Sequence, residues 1–304
     1  MHKLALLLFG ACACCSAAAE KPDAPAESQA PSESFPEPAP DSVPDAAALQ
    51  QSGAVIGEIL IYPENIFDLN DPKEDKSLYR LANKLHIKTR ENVVRQQLLF
   101  STGDRYSPRL LEESERILRT TRYLYDASIR PIAYHDGKVD IAVTTRDVWT
   151  LNPGISFGRS GGASTYGFEI EELNILGTGT SLSLSQKSGV DRDSTLLQYR
   201  DPHLAGTWTK LALNYSNNSD GSMREVSLDR PFYALDSHWA TGFGALDDDR
   251  IEPLYDRGEI VDEFREQRQS AGAYWGWSRG LENGWTRRWS IYMEIGRASC
   301  RERV

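Results

Sequence analysis

Trp239-Ala240-Thr241-Gly242-Phe243-Gly244-Ala245 alternates along its whole length: Trp239, Phe243 and Ala245 fall on one side of an extended chain, and glycine dominates the other. Successive strand side chains point to opposite faces, so the period of two makes this segment a strand with one large apolar face and one small one. A second such segment, residues 271–277, puts Ala271, Ala273, Trp275 and Trp277 opposite Gly272, Tyr274 and Gly276. Between residues 149 and 293 the pattern recurs in short runs broken by Gly, Asn and Asp turns, eight to nine strands in all. Apolar groups facing outward and small or polar groups facing inward are the signature of a transmembrane β-barrel wall. After its start the chain has no apolar run near the roughly 18 residues that a spanning helix needs, so a membrane reading has to be a barrel.

The start is expected to be a secretory signal, residues 1–19: His2 and Lys3, an apolar core, then Ser16-Ala17-Ala18-Ala19 before Glu20. Cys12, Cys14 and Cys15 lie inside or beside it, and cleavage removes them; the competing reading makes one of them an acylated N-terminus, although Phe9-Gly10-Ala11 is a poor match for that. The even cysteine count therefore implies no disulfide framework. The fourth, Cys300, sits in a stretch, residues 294–304, that resembles a translated sequencing adapter and is set aside from fold reasoning.

Residues 20–53 hold seven of the fifteen prolines, seven acids and one lysine, and Phe35 is their only aromatic. Such a composition cannot bury enough apolar surface to offset its ordering entropy, and a disordered linker is expected. Residues 54–148 carry fifteen charges of each sign, and residues 149–293 carry twenty acids against fourteen bases. No basic footprint for nucleic acid is present. Nine acids and three arginines crowd into residues 247–266, which is read as a long solvated loop.

Residues 54–148 should form an α/β module. Residues 55–62 read as a strand, and Asp71-Pro72 opens an insertion in which Leu78, Leu81, Ala82 and Leu85 recur at helical spacing. Thr89 is a candidate N-cap for a helix to Leu99 with Val94 and Leu98 inward. Ser107-Pro108 starts another, with Leu110, Leu111, Ile117 and Leu118 inward and Glu112, Glu113, Arg116 and Arg119 outward. A hairpin around His135-Asp136-Gly137 closes the module. The order is β-α-α-β-β with an extra helix after the first strand.

That order, the Gly103-Asp104-Arg105-Tyr106 turn, Tyr123-Leu124-Tyr125-Asp126-Ala127 and Val139-Asp140-Ile141-Ala142-Val143 resemble a polypeptide-transport-associated (POTRA) domain. Residues 149–293 resemble the barrel of the BamA/TamA family of bacterial outer-membrane proteins. The residues that carry this are Leu151-Asn152-Pro153-Gly154-Ile155-Ser156-Phe157-Gly158, Glu172-Leu173-Asn174-Ile175-Leu176-Gly177-Thr178-Gly179, Tyr199-Arg200-Asp201-Pro202-His203-Leu204-Ala205-Gly206 and Arg230-Pro231-Phe232-Tyr233-Ala234-Leu235-Asp236. The resemblance implies an α+β periplasmic domain followed by an all-β antiparallel barrel, incomplete here, of an expected sixteen strands. It implies a protein of the Gram-negative outer membrane that assists insertion or translocation of other polypeptides. Its partners would be the lipid bilayer, unfolded outer-membrane or secreted chains, and periplasmic assembly factors. The alternative is a passive or structural barrel whose soluble domain docks partners. The family's Arg-Gly-aromatic lumen motif is absent: Arg257-Gly258-Glu259 and Arg279-Gly280-Leu281 lack the aromatic.

No enzyme activity, cofactor or metal is expected. Gly158-Arg159-Ser160-Gly161-Gly162 matches a nucleophile elbow by letter, but an alternating segment comes after it rather than a helix. His86, His135, His203 and His238 share no ligand spacing, and Asp191-Arg192-Asp193 reads as a hairpin tip. The candidate working surface is a sheet edge, Ala127, Ser128, Ile129, Arg130, Ile132 and Ala133, where a client strand could add by β-augmentation. Pro131 removes one amide donor from that edge.

Overall fold

The structure, a computed structural model, describes residues 43–160 and 163–302. The expected signal and most of the expected linker lie outside those residues. The last part of the linker stretch departs from expectation: Ala46–Gln51 is a short helix, α1, capped by the Asp45 carboxylate on the Ala48 amide at 2.7 Å. Leu49 is fully buried in the core of the following domain, which outweighs the disorder-prone composition around it.

The α/β part has the order β1 (Val55–Glu64), α2 (Ser77–Leu85), α3 (Glu91–Arg95), α4 (Pro108–Arg119), β2 (Leu124–His135) and β3 (Lys138–Asp147). Its sheet runs β1-β3-β2, with β3 central, parallel to β1 and antiparallel to β2. The two-residue hairpin loop needs positive φ at both positions, and Asp136 (48°) and Gly137 (75°) supply it. Ile56, Ile59 and Ile61 of β1, Val139, Ile141 and Val143 of β3, and Val93, Val94, Leu98, Leu111 and Leu118 from the helices form one core.

The remainder is one nine-stranded antiparallel sheet in sequence order: β4 (Leu151–Ser160), β5 (Ala163–Glu172), β6 (Ser181–Ser188), β7 (Asp193–Asp201), β8 (Lys210–Asn218), β9 (Gly221–Arg230), β10 (Trp239–Asp256), β11 (Glu259–Glu282) and β12 (Trp285–Glu302). The strand ladder of β12 continues through residues 295–302, the stretch that resembles an adapter. β4 to β9 are eight to ten residues long, close to the roughly 9–11 that a tilted spanning strand takes.

Residues directly opposite in a ladder share a face, so the registers carry the alternation from strand to strand. Trp239 stands opposite Trp277, Phe243 opposite Ala273 and Leu228, and Trp277 opposite Trp289. Val226 then meets Leu213, Leu197 meets Leu184, Ile170 meets Leu184, and Phe168 meets Ile155. Phe157 is 84% exposed on this face and Ile155 70%. An exposed and largely apolar face of this width marks a surface built to meet something other than water. The opposite face carries Ser183, Ser185, Gln198, Asn214, Ser216, Glu225, Gly242, Gly244, Tyr274 and Ser278, with Gln198 donating to Asn214 at 3.0 Å and Asn214 to Glu225 at 2.8 Å.

The glycines of the opening segment have a packing reason. A Cβ on Gly242 would lie 2.3 Å from Cε1 of Tyr274, whose ring crosses the strand so that its hydroxyl donates to Asp229.

The acidic run 247–266 is not a loop. β10 and β11 stay paired from Trp239↔Trp277 to Asp256↔Glu259, and the acids sit in the ladder beside arginines. Arg265 donates to Asp249 at 2.7 and 2.8 Å, and Arg250 to Glu266 at 2.9 Å. Cross-strand ion pairing turns a charge run that reads as solvated into a ribbon extending beyond its neighbours.

Candidate functional site

β3 leads from the small domain into β4, so one end of the wall, the proximal end, lies beside that domain. The first three proximal connections are residues 173–180, 202–209 and 231–238, and residues 283–284 make a fourth, tight one between β11 and β12. The first two have the same build: a single 3-10 turn, Ile175–Gly177 or Leu204–Gly206, whose second residue and glycine are left-handed, Leu176 at 52° and Gly177 at 71°, Ala205 at 52° and Gly206 at 74°. In each a following threonine closes the turn, Thr178 donating to Ile175 O at 2.6 Å and Thr207 to Leu204 O at 2.8 Å.

The first three connections are all held by the small domain. At the first, the Arg90 amide donates to Gly177 O at 3.0 Å and Arg90 Nε to Leu176 O at 3.1 Å. At the second, Gly206 packs against the Gln96 side chain. At the third, Glu113 accepts from the Leu235 amide at 2.8 Å, and Arg109 pairs with both Glu113 and Asp236. Glu113 was expected to face outward on α4; it is buried because that face of the helix meets this connection.

Behind the first contact lies a polar hub. The Asp147 carboxylate, at the end of β3, accepts from the Thr89 amide at 2.8 Å, the Thr89 hydroxyl at 2.9 Å and His86 Nε2 at 2.7 Å. Asn174, in the first proximal connection, donates to Thr89 Oγ1 at 2.8 Å and accepts from the Gly179 amide at 2.7 Å. Thr89 and Asp147 are each 1% exposed, so every one of these bonds forms away from water. Thr89 was expected to cap the next helix. Its hydroxyl serves the hub instead, and α3 starts one residue later from Arg90 without a side-chain cap. Nearby, burial pushes the Tyr123 hydroxyl well above its ordinary range, and it accepts from Gln97 Nε2 at 2.7 Å.

Gly177 is where the contact is tightest. A Cβ there would meet Lys88 O at 2.2 Å, and the φ of +71° disfavours any side chain. Gly177→Ala is expected to weaken the junction by about 2 kcal/mol or more, read as faster proteolysis in the segment 86–90 of the full chain; unchanged cleavage would show that the turn is not clamped.

The sequence-derived edge, Ala127, Ser128, Ile129, Arg130, Ile132 and Ala133, does lie on the outer strand β2, paired only to β3 among the described residues. The structure closes much of that edge. Along the unbroken register 126–131, the Ile129 amide donates to Glu115 Oε2 of α4 at 2.8 Å and the Ala127 amide to Asp126 Oδ1 at 2.8 Å. Amides alternate sides along a strand, so Ala127, Ile129 and Pro131 are the three that point away from β3. Two are occupied and proline has none. A register shift lies between Pro131 and Ala133, a bulge that further blunts the edge.

Ser160 pairs with Ala163, and the next described segment, β5, is a strand and not the helix that a nucleophile elbow leads into. Among the described residues no group of three or more His, Cys, Asp or Glu is placed to hold a metal ion. Asp191 and Arg192 do sit at a distal tip, as expected, and that tip is tied to its neighbours: Arg192 donates to Asp220 at 2.7 Å and Tyr255 to Asp191.

Sequence reasoning missed the three-point junction. The one local signal was the repeated form Asn174-x-x-Gly177-Thr178 and His203-x-x-Gly206-Thr207, which marks two equivalent turns.

No family model matches the sequence. Among solved structures the chain is similar to BamA from Haemophilus ducreyi lacking POTRA domains 1–3, at 17% identity and a TM-score of 0.43, over 78% of this chain and 48% of that one. It is also similar to CdiB from Acinetobacter baumannii, at 14% identity and a TM-score of 0.44, over 81% of this chain and 46% of that one. The likeness is one of fold. The chain spans about half the length of each.

Proposed function

We propose that this chain carries the periplasmic module and nine wall strands of an outer-membrane protein that assists the insertion or passage of other polypeptides, as its resemblance to the BamA/TamA family implies. The proximal end of the wall is then periplasmic, the small domain a POTRA domain, and the small or polar face lines the lumen. The observation that carries the reading is the combination of a two-faced wall with a soluble module bound at three consecutive proximal connections. A module held this way delivers whatever it binds to a fixed place on the wall.

The physical requirement is that a strand entering lipid must have its backbone groups satisfied, which calls for a hydrogen-bonding template. On the small domain, β2 has its outward donors spoken for between Ala127 and Pro131, so a client adding there requires Glu115 to release Ile129. The wall offers β4, which pairs on one side only with β5 among the described residues. We assign the templating role to that edge and a guiding role to the small domain.

Depletion of the full-length protein in its own cell, followed by measurement of outer-membrane and secreted protein levels, tests this. A fall in a defined set of barrel or secreted substrates is expected. Unchanged levels of all of them would leave a passive barrel with a partner-docking domain.

A further inference from the structure

The helix α2 is oriented against the usual logic of a soluble domain. Its leucines, Leu78, Leu81 and Leu85, lie at i, i+3 and i+7 and so share one face. They are 68%, 51% and 65% exposed, and Ile87 just beyond is 51% exposed. The side that holds the helix to the domain is a different one. The Tyr79 ring stacks on Phe67 at 4.1 Å, and Asn83 donates to Phe67 O at 2.8 Å and accepts from the Phe67 amide at 3.1 Å. Arg146 fastens the preceding segment by donating to Ile66 O at 2.9 Å and to Glu74 at 2.6 Å. A helix fixed by Tyr79 and Asn83 cannot roll its leucines inward.

The topology decides what those leucines face. β1 runs parallel to β3 with Glu64 opposite Arg146, so the chain leaves β1 at the end of the small sheet from which β3 passes into the wall. The insertion therefore begins at the level where the chain enters the wall through Trp149 and Leu151, which are 41% and 37% exposed. Immediately after α2, His86 joins the hub and Arg90 grips the first proximal connection. The apolar face of α2 thus stands at the proximal rim of the apolar face of the wall. Charge agrees with a phosphate-rich surface: the charged residues on α2 are Arg80 and Lys84, with Lys76 before it and Lys88 after it. Of the neighbouring acids, Glu74 is engaged by Arg146 and Asp75 by Arg80, while Asp68 and Asp71 lie in the segment before the helix, so the cations left to meet phosphate are Lys76, Lys84 and Lys88.

We propose that α2 is an in-plane membrane anchor, its leucines seated in the interface of the leaflet next to the proximal rim and its basic side chains among the lipid phosphates. An apolar helix face with basic flanks sinks about 5–10 Å into that interface. The anchor would fix the small domain against the bilayer on the β1 side, in addition to the contacts that fix it to the wall. The inference rests on reading the nine-stranded sheet as a membrane wall.

A photoactivatable diazirine amino acid placed singly at Leu81, Leu85, Lys84 or Phe157 of the full chain, reconstituted in vesicles of phosphatidylethanolamine and phosphatidylglycerol, tests both layers. All four positions are exposed, so folding should survive the label. Strong lipid adducts are expected at Leu81, Leu85 and Phe157, and clearly weaker ones at Lys84, which the anchor holds at the depth of the phosphates. Adducts at Phe157 but not at the leucines would overturn the anchor and leave the wall intact; no adduct at Phe157 would overturn the wall reading itself. Equal labelling at Lys84 and Leu81, or capture of protein in place of lipid at the leucines in outer-membrane vesicles, would also overturn the anchor.

Discussion

Asp147→Ala is expected to destabilise the small domain by about 3–5 kcal/mol, the usual cost of breaking a buried charged interaction by removing one partner. One carboxylate accepts from the Thr89 amide, the Thr89 hydroxyl and His86, with Thr89 and Asp147 both sealed from water. Alanine leaves those donors buried and unpaired. The damage should not stay local. Thr89 is also the acceptor for Asn174 of the first proximal connection, and Arg90, its neighbour, holds Gly177 and Leu176. The substitution should therefore loosen the wall junction as well as the domain. Pulse proteolysis of the full chain across a urea series would show a lower midpoint and new cleavage in residues 86–90. Asp147→Asn keeps an acceptor in place and should fall between wild type and alanine. A midpoint within error of wild type for Asp147→Ala would remove the hub from the account.

Arginine placed on adjacent residues of β10 should have opposite consequences. Phe243→Arg puts a cation on the apolar face midway along the wall, opposite Ala273 and Leu228, and if that face meets lipid, as proposed, is expected to cost about 2–4 kcal/mol. Gly244→Arg directs the same cation to the polar face, where a Cβ would find only Val226 O, at 3.8 Å, and is expected to cost under about 1 kcal/mol. Folding into vesicles, followed by heat-modifiable mobility and urea midpoint, separates the two. Equal penalties would mean that the two faces are not differently solvated, and the wall would have to be abandoned.

Much of the fold was legible along the chain. Pro108 at the first turn of α4, the Asp136-Gly137 hairpin and the burial of Val94 and Leu98 come from rules that span a few residues. The expected eight to nine wall strands correspond to nine in the structure. The departures share a cause. Glu113 reads as an outward helix residue until residue 235 is brought against it, Thr89 reads as a cap until Asp147 arrives, and the acids of residues 247–266 read as a loop until a second strand supplies Arg265 and Glu266. Leu49 reads as part of a linker until the core encloses it. The candidate edge lies on the outer strand β2, but whether its amides are free depends on Glu115, which belongs to another element.

By itself, then, the sequence determined which residues alternate, where turns fall and which faces are apolar, because the geometry of a strand or a helix repeats over two to four residues. Trp239-Ala240-Thr241-Gly242-Phe243-Gly244-Ala245 already contained both sides of the wall. Only the tertiary structure decided that Gly242 is the space beneath Tyr274, that three proximal connections grip one small domain, and that the leucines of α2 turn outward. Those outcomes depend on residues from about thirty to more than a hundred positions apart meeting in one place, and no local period encodes which partner a side chain will find.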